Sequence, residues 1–373
     1  MSEAPLRREA RRLPDGRRLW LYRDPAHESA AEEPGAASVA FELSGHHERR
    51  WHSLLREWVT YATARQDRTF LPPPDACPLC PPAPGDEPTE VPADGWEIAV
   101  FENRFPAYAS PAPPVAQPPQ PWRAAPADGA CEVVVYTPRH EARLADASEA
   151  HVRRLIEVWV DRTVDLEARD EVQAVYVFEN RGVAIGVTLH HPHGQIYAYP
   201  FVPPVMQREL DAFAMGPGCP LCQASAAELR DGRRLVTQEA GWIAYVPYAA
   251  RWPYEVHLVP RRHVATLAEL EPGERDELAR TLRKLLRAYD ALWDRPLPYV
   301  MAVHVRPVAA SDQPFHMHLE FYPPNRSEDR LKYLAGSEAG AGAFINDTLP
   351  EETAAELRAA AARSSTNPRP HVP

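Results

Sequence analysis

The chain of 373 residues is long enough for one large domain or two ordinary ones, and with 45% hydrophobic and 25% charged residues its composition is globular. A formal net charge of −11 argues against a broad nucleic-acid-binding surface and leaves room for a local basic pocket. No segment reads as membrane-spanning, and the opening MSEAPLRREARRLPDG lacks an apolar signal-like core, so a cytoplasmic protein is expected.

In chain order, residues 1–50 read as a partly irregular N-terminal arm, with HESAAEEPGAASVAFELSGHHERRW as an extra strand or part of that arm. The proline clusters PPPDACPLCPPAPGDEP and PAPPVAQPPQP read as rigid surface connections. Four of the five cysteines form two copies of one tetrapeptide, CPLC: Cys77 with Cys80, and Cys219 with Cys222. Without an export signal, such pairs are more often metal or redox sites than disulfides. The prolines around the first copy do not suit a redox motif that opens a helix, so metal is favoured.

After the first CPLC come GWEIAVFENRFPAY and CEVVVYTPRHEARLADA, then a stretch from Ser148 with Val152, Leu155, Ile156, Trp159, Val160 and Val164 at helical spacing. VQAVYVFENRGVAIGVTLHHPHGQIYAYPF follows, its ENRG at 179–182 giving a hairpin-turn signal. After the second CPLC the order recurs: a Gly-Trp strand, PRRH, a helix carrying Leu278, Leu282, Leu285, Leu286, Tyr289 and Leu292, then a strand and His-x-His. The Val-, Ile- and Tyr-rich stretches between read as antiparallel strands. The chain is therefore expected to be α+β, two copies of one unit at 51–215 and 216–349, with helices packed on antiparallel strands. Residues 350–373 read as a C-terminal helix with Pro350 in its first turn and a disordered tail, SSTNPRPHVP.

Residues two apart on a strand share a face, which groups His191, His193 and Gln195 and leaves His190 opposite as a bystander. A structural zinc wants four N/S ligands. The first unit offers Cys77, Cys80, His140 and a histidine of HPH; the second offers Cys219, Cys222, His263 and His316 at matching places. The recurrence counts against a chance pairing of buried thiols and surface histidines. If His191 holds zinc, His193 remains as a nucleophile. A neutral imidazole can attack phosphorus and carry it as a phosphoramidate, splitting one transfer into two. The Gln195 amide can donate to a phosphoryl oxygen as charge shifts in the transition state.

HPHGQ after ENRGVAIGVTLH resembles the active site of the galactose-1-phosphate uridylyltransferases of the histidine-triad superfamily, over roughly residues 55–360. The resemblance implies two tandem histidine-triad-like units sharing one continuous sheet per subunit. It implies a ping-pong exchange of UMP between UDP-glucose and galactose 1-phosphate, giving glucose 1-phosphate and UDP-galactose. His193 then matches the uridylylated histidine, Gln195 the phosphoryl stabiliser, and Cys77, Cys80, His140 and His191 the zinc ligands. Asn180 and Thr188 match nucleotide- and phosphate-binding positions. FENRF resembles the family's uracil-contacting F-x-N-D-F, matching Asn103 and Phe105, with Arg104 replacing its aspartate. Arg65 and Arg68 match arginines that hold phosphates from a neighbouring subunit, which implies a homodimer. Lys332 and Glu338 match a hexose-contacting stretch. A second metal, iron or zinc, is implied at Glu209, His304 and His318, with Glu320 where the family has histidine. Since Glu320 stands where Gln195 stands in the first unit, and a carboxylate repels phosphate, one catalytic centre per chain is expected. The competing readings are an ADP-sugar or dinucleotide phosphorylase using the same histidine, and a non-catalytic zinc scaffold.

Overall fold

The computed structural model describes residues 6–25, 41–82 and 88–366. The parts of the expected arm at 1–5 and 26–40, and the tail from 367 on, lie outside the described residues. The arm region nevertheless supplies strands: β1 (Arg7–Arg12) and β2 (Arg18–Arg23) form a hairpin, and β3 (His47–His52) pairs with β4 (Glu57–Ala62). The first unit continues with β5 (Ile98–Glu102), β6 (Ala124–Pro126), β7 (Ala130–Val135), α1 (Glu149–Glu167), β8 (Ala174–Arg181) and β9 (His193–Tyr199). After α2 (Pro204–Ala214) and α3 (Pro220–Asp231), the second unit runs β10 (Leu235–Gln238), β11 (Trp242–Tyr245), β12 (Val256–Pro260), α4 (Pro272–Leu292), β13 (Tyr299–His304) and β14 (His318–Tyr322). Helix α5 (Pro350–Thr366) closes the described chain.

Eleven strands make one antiparallel sheet in the order β1-β2-β5-β7-β9-β8-β13-β14-β12-β11-β10. The order is a palindrome of the duplication: β5-β7-β9-β8 of the first unit meets β13-β14-β12-β11 of the second. The seam is β8 against β13, from Tyr299 opposite Arg181 to Val303 opposite Val177. The expected α+β fold with one continuous sheet is what forms.

Alternation assigns the two faces. Val100, Val134, Ile196, Ala198, Met301, Val303, Leu319 and Phe321 face α1, α4 and α5 in one core that runs through both units. The residues between them face the other way, and every candidate site residue on a sheet strand belongs to that opposite face. Helix α1 starts where Ser148 Oγ accepts the His151 N–H at 3.1 Å, and α4 where Glu271 and Glu274 form a capping box. Across the seam, Arg275 reaches Glu157 at 2.7 Å and Arg283 reaches Glu149 at 3.0 Å.

The structure departs from the pattern reading in three places. Val164 is 47% exposed, while Arg162, two residues earlier, is fully buried: it pairs with Glu132 of β7, so the charge is neutralised inside the core. Glu179–Arg181 belong to β8, and the chain turns only from Gly182, at φ +91° with Pro298 packed against it. Eleven residues, 182–192, then separate β8 from its antiparallel neighbour β9, so ENRG marks the strand end and the start of a long connection. Helix α5 extends through Ser364–Thr366, the first residues of the expected tail.

Candidate functional site

Strand β9 carries the centre of the site. His193 opens it opposite Val135, Gln195 lies opposite Val133 of β7 and Phe178 of β8, and Tyr197 lies opposite Cys131 and Tyr176. These side chains share the face away from α1 and α4. Gly194 faces the other way, where a Cβ would come 2.3 Å from Tyr136 Oη, so the strand lies directly on that tyrosine. His193 Nδ1 is 2.8 Å from the His191 carbonyl. A carbonyl only accepts, so Nδ1 carries the proton and Nε2 keeps the lone pair. Burial lowers the His193 pKa, with the carbonyl hydrogen bond acting in the opposite sense, so the ring is neutral near pH 7. Asn180 lies two residues beyond Phe178 on the same face of β8, at the His193 end. His190 is exposed, apart from these contacts.

His191 stands just outside β9, which Pro192 separates from the preceding loop. Its Nε2 donates to the Thr137 carbonyl at 2.7 Å, which leaves the Nδ1 lone pair aimed at the cysteines. Cys80 Sγ is 3.4 Å from both His191 Nδ1 and His140 Nδ1, and Cys77 Sγ is 3.9 Å from His191 Nδ1. All four ligand atoms lie within 4.8 Å of one another. A zinc tetrahedron with Zn–S of about 2.3 Å and Zn–N of about 2.0 Å has S···N edges of about 3.5 Å, so the donor set fits zinc. Burial and the adjacent Cys77 push the Cys80 thiol up to about 12, and burial pushes His191 down to about 4. A cation bound between the thiols would favour their deprotonated, ligating form.

Arg65, with Phe105 and Asn103, reaches the same face through Tyr197. The segment after β4 brings Arg65 Nη1 to 3.2 Å from Tyr197 Oη and 3.3 Å from the Phe105 carbonyl, while Asn103 Oδ1 accepts the Phe105 N–H at 2.8 Å. Tyr197 Oη in turn donates to Gln195 Oε1 at 3.2 Å. Arg68 Nε donates to the Arg65 carbonyl at 3.1 Å, and the Leu71 N–H donates to the Thr188 carbonyl at 2.8 Å, tying this segment to the loop before HPH. Arg65, Arg68, Tyr108, Tyr197 and Tyr199 line a cavity of about 480 Å³. Lys332 and Glu338 pair with each other at 3.1 Å in the loop after β14. Strands β8 and β13 lie between β14 and β9 in the sheet, and the contacts of Lys332 and Glu338 are with each other and with the Ile345 and Ala335 backbone.

The second unit repeats the frame. His316 Nε2 donates to the Pro260 carbonyl at 3.0 Å and presents Nδ1 to Cys219 Sγ at 3.5 Å and Cys222 Sγ at 3.3 Å, with His263 Nδ1 3.4 Å from Cys222. His318 Nδ1 lies 3.0 Å from the His316 carbonyl, as His193 does from that of His191. His316 precedes β14, so it faces the cysteines while His318 faces His304 and Glu209. His304 Nδ1 is 2.9 Å from Glu209 Oε1, and His318 Nε2 is 3.9 Å from it. Glu320 comes to 3.4 Å from His318 and 3.7 Å from His304, but its oxygens are also held by His257 at 3.1 Å, by Arg251 and by the Tyr322 hydroxyl. Sequence reasoning missed His257 and Tyr197. Period-two alternation was the signal for Tyr197, two residues past Gln195. His257 shows only through its register opposite Glu320.

The family model described as galactose-1-phosphate uridyl transferase, N-terminal domain, matches residues 39–203, and the corresponding C-terminal domain matches 207–367. The chain is 39% identical over 318 residues to the galactose-1-phosphate uridylyltransferase of Thermotoga maritima, covering 83% of this chain and 98% of that protein. It is 36% identical over 377 residues to that of Streptomyces lividans, covering 95% and 98%. A solved structure described as a uridylyltransferase superposes with a TM-score of 0.76 at 35% identity, covering 85% of this chain and 99% of that one.

Proposed function

Because the chain belongs to the galactose-1-phosphate uridylyltransferase family, we propose that it exchanges UMP between UDP-glucose and galactose 1-phosphate through His193. The observation that carries the assignment is the His193 Nδ1–H donated to the His191 carbonyl with Gln195 beside it. In the first half-reaction Nε2 attacks the α-phosphorus of UDP-glucose. The N–P bond forms as the bond from that phosphorus to the bridging oxygen breaks, and glucose 1-phosphate leaves with the electron pair. No proton has to move: Nδ1 keeps its hydrogen, and the His191 carbonyl stabilises the positive charge that the ring acquires. Gln195 donates to a phosphoryl oxygen as the charge shifts. Galactose 1-phosphate then attacks the same phosphorus, the N–P bond breaks, and UDP-galactose leaves with His193 neutral again.

Zinc at Cys77, Cys80, His140 and His191 would be structural, with four protein ligands and no open position. His191, held there, would keep in place the carbonyl that accepts the His193 Nδ1–H. The same donor set at Cys219, Cys222, His263 and His316 supports a second zinc. Glu209, His304 and His318 support a third metal of the iron or zinc class, with Glu320 beside it. Among the described residues no helix is long and apolar enough to cross a membrane. Five free cysteines, four of them in ligand sets, favour a reducing, cytoplasmic setting. A homodimer is supported by the exposed Leu54, Leu55 and Trp122.

The test uses UDP-glucose radiolabelled in the α-phosphate, with no acceptor present. The wild type should retain acid-labile, alkali-stable label that galactose 1-phosphate chases off, and His193→Asn should retain none. Label from ADP-glucose but not from UDP-glucose would move the substrate to the ADP-sugar class. No label from either, in folded zinc-loaded protein, would leave a scaffold.

A further inference from the structure

An amide side chain can stabilise a phosphoryl group in only one of its two orientations, and the orientation of Gln195 is set from behind. Arg65 can only donate hydrogen bonds, so the Tyr197 oxygen, 3.2 Å from its Nη1, is the acceptor and the tyrosine proton is free to be donated onward. The hydroxyl lies 3.2 Å from Gln195 Oε1, and the other group beside it, the Cys131 thiol, is a weak acceptor. Donation to Oε1 turns both Nε2 protons away from Tyr197. Gln195 shares its strand face with His193, about 7 Å along β9, so the turned protons can meet a phosphoryl group on His193.

The duplicated unit repeats the arrangement and fixes its polarity. Arg251 Nη2 is 3.4 Å from Tyr322 Oη, and Tyr322 donates to Glu320. Tyr322 and Glu320 follow His318 by four and two residues, as Tyr197 and Gln195 follow His193. Glu320 is a carboxylate and can only accept, so in that copy protons run from arginine through tyrosine to the residue at plus two. The same direction in the first copy ends on Gln195 Oε1.

Resting on the transferase reading above, we propose that Tyr197 is a positioning residue for uridylyl transfer: with Arg65 behind it, its hydroxyl holds the Gln195 amide so that Nε2 donates to the phosphoryl group on His193. The guanidinium charge also polarises the hydroxyl and through it the amide, strengthening the outgoing N–H. Burial raises the Tyr197 pKa, so the hydroxyl keeps its proton across the working range. Arg65 then acts within its own chain, through Tyr197.

Tyr197→Phe keeps the ring against Phe178, at 5.0 Å between centroids, and removes only the hydroxyl. Losing a whole donor at such a site costs about a hundredfold or more, and losing its orientation should cost less. Rapid-quench labelling from UDP-glucose should therefore slow about tenfold in Tyr197→Phe, with KM for UDP-glucose changed less than about threefold. In a Gln195→Ala background, where no amide remains to be held, adding Tyr197→Phe should change the labelling rate less than about twofold. Wild-type labelling by Tyr197→Phe, a loss confined to KM, or an equal loss in both backgrounds would each overturn the inference while leaving the transferase reading in place. A wild type that takes no label from UDP-glucose would remove the reading itself.

Discussion

The buried pair Arg162–Glu132 is where a single substitution should cost most per atom. Arg162 Nε and Nη2 meet the two Glu132 oxygens at 2.9 and 2.8 Å, Nη1 meets Asp165 at 2.6 Å, and the guanidinium lies 3.8 Å over the Trp20 ring. The side chains are 1% and 0% exposed, so Arg162→Met leaves the Glu132 carboxylate without its counter-ion or ready access to water. Breaking such a pair on one side costs about 3–5 kcal/mol. For 373 residues, an unfolding entropy of about 2.1 cal/mol/K per residue converts this to a fall in Tm of about 4–6 °C. Thermal unfolding of Arg162→Met, Glu132→Leu and the double variant forms the assay. The double variant should recover most of the loss, because a buried pair replaced by apolar groups is often neutral. Glu132 lies opposite Ile196 of β9 but on the face away from His193, so kcat below the transition should stay within about threefold of wild type. A loss under about 1 kcal/mol in Arg162→Met would refute the argument. A double variant no better than the single one would assign the loss to packing on Trp20 instead.

Cys80→Ser should lower bound zinc by one equivalent per chain and slow uridylylation by at least about tenfold, since His191 no longer holds the carbonyl for His193; metal analysis and rapid quench read the two effects. Cys222→Ser should also cost one equivalent of zinc yet leave uridylylation within about threefold. Glu179 of β8 is buried between the Tyr136 and Tyr299 hydroxyls, and burial raises it to about 7 against about 4.3 in an unfolded chain. The folded protein thus holds that proton more tightly, so this group's stabilising contribution is present at low pH and is lost as pH rises to about 7. Glu179→Gln does not titrate and should gain on wild type by up to about 3 kcal/mol between about pH 5 and pH 8, read by thermal melts; an unchanged difference at the two pH values would contradict this.

What the sequence revealed depended on whether chemistry was local or repeated. The duplication was legible because CPLC, the Gly-Trp strand and His-x-His recur in one order, and in both units the structure brings the two cysteine and two histidine ligand atoms within 4.8 Å of one another. Burial of Arg162 was not legible, since its partner is thirty residues away and a charged residue ordinarily marks a solvated face. The strands β1 and β2 were hidden in arginine-rich text: RREARR becomes an edge strand because Arg8 finds Asp161 and Asp165 on α1, and its other charges face solvent or Glu9. The link from Arg65 to Gln195 crosses 132 residues to Tyr197 and needs the register of β9 to be known.

On the proposed reading, little separates an anion site from a cation site on this frame. Each holds a histidine whose Nδ1–H meets the carbonyl two residues back, and each places an arginine and a tyrosine behind the residue at plus two. In the first unit that residue is an amide, which accepts from the tyrosine and still has protons for a phosphate. In the second it is a carboxylate, which has only lone pairs to offer once the tyrosine proton is accepted. His257, His304 and His318 hold Glu320 well below the usual carboxylate range although burial opposes them, so the charge persists. A phosphate approaching His318 would meet Glu320 and Glu209 together, whereas a metal ion there gains from both. On the proposed reading, the difference between Gln195 and Glu320 directs the phosphoryl group to the first unit, by the sign of the field and not by the shape of the sheet.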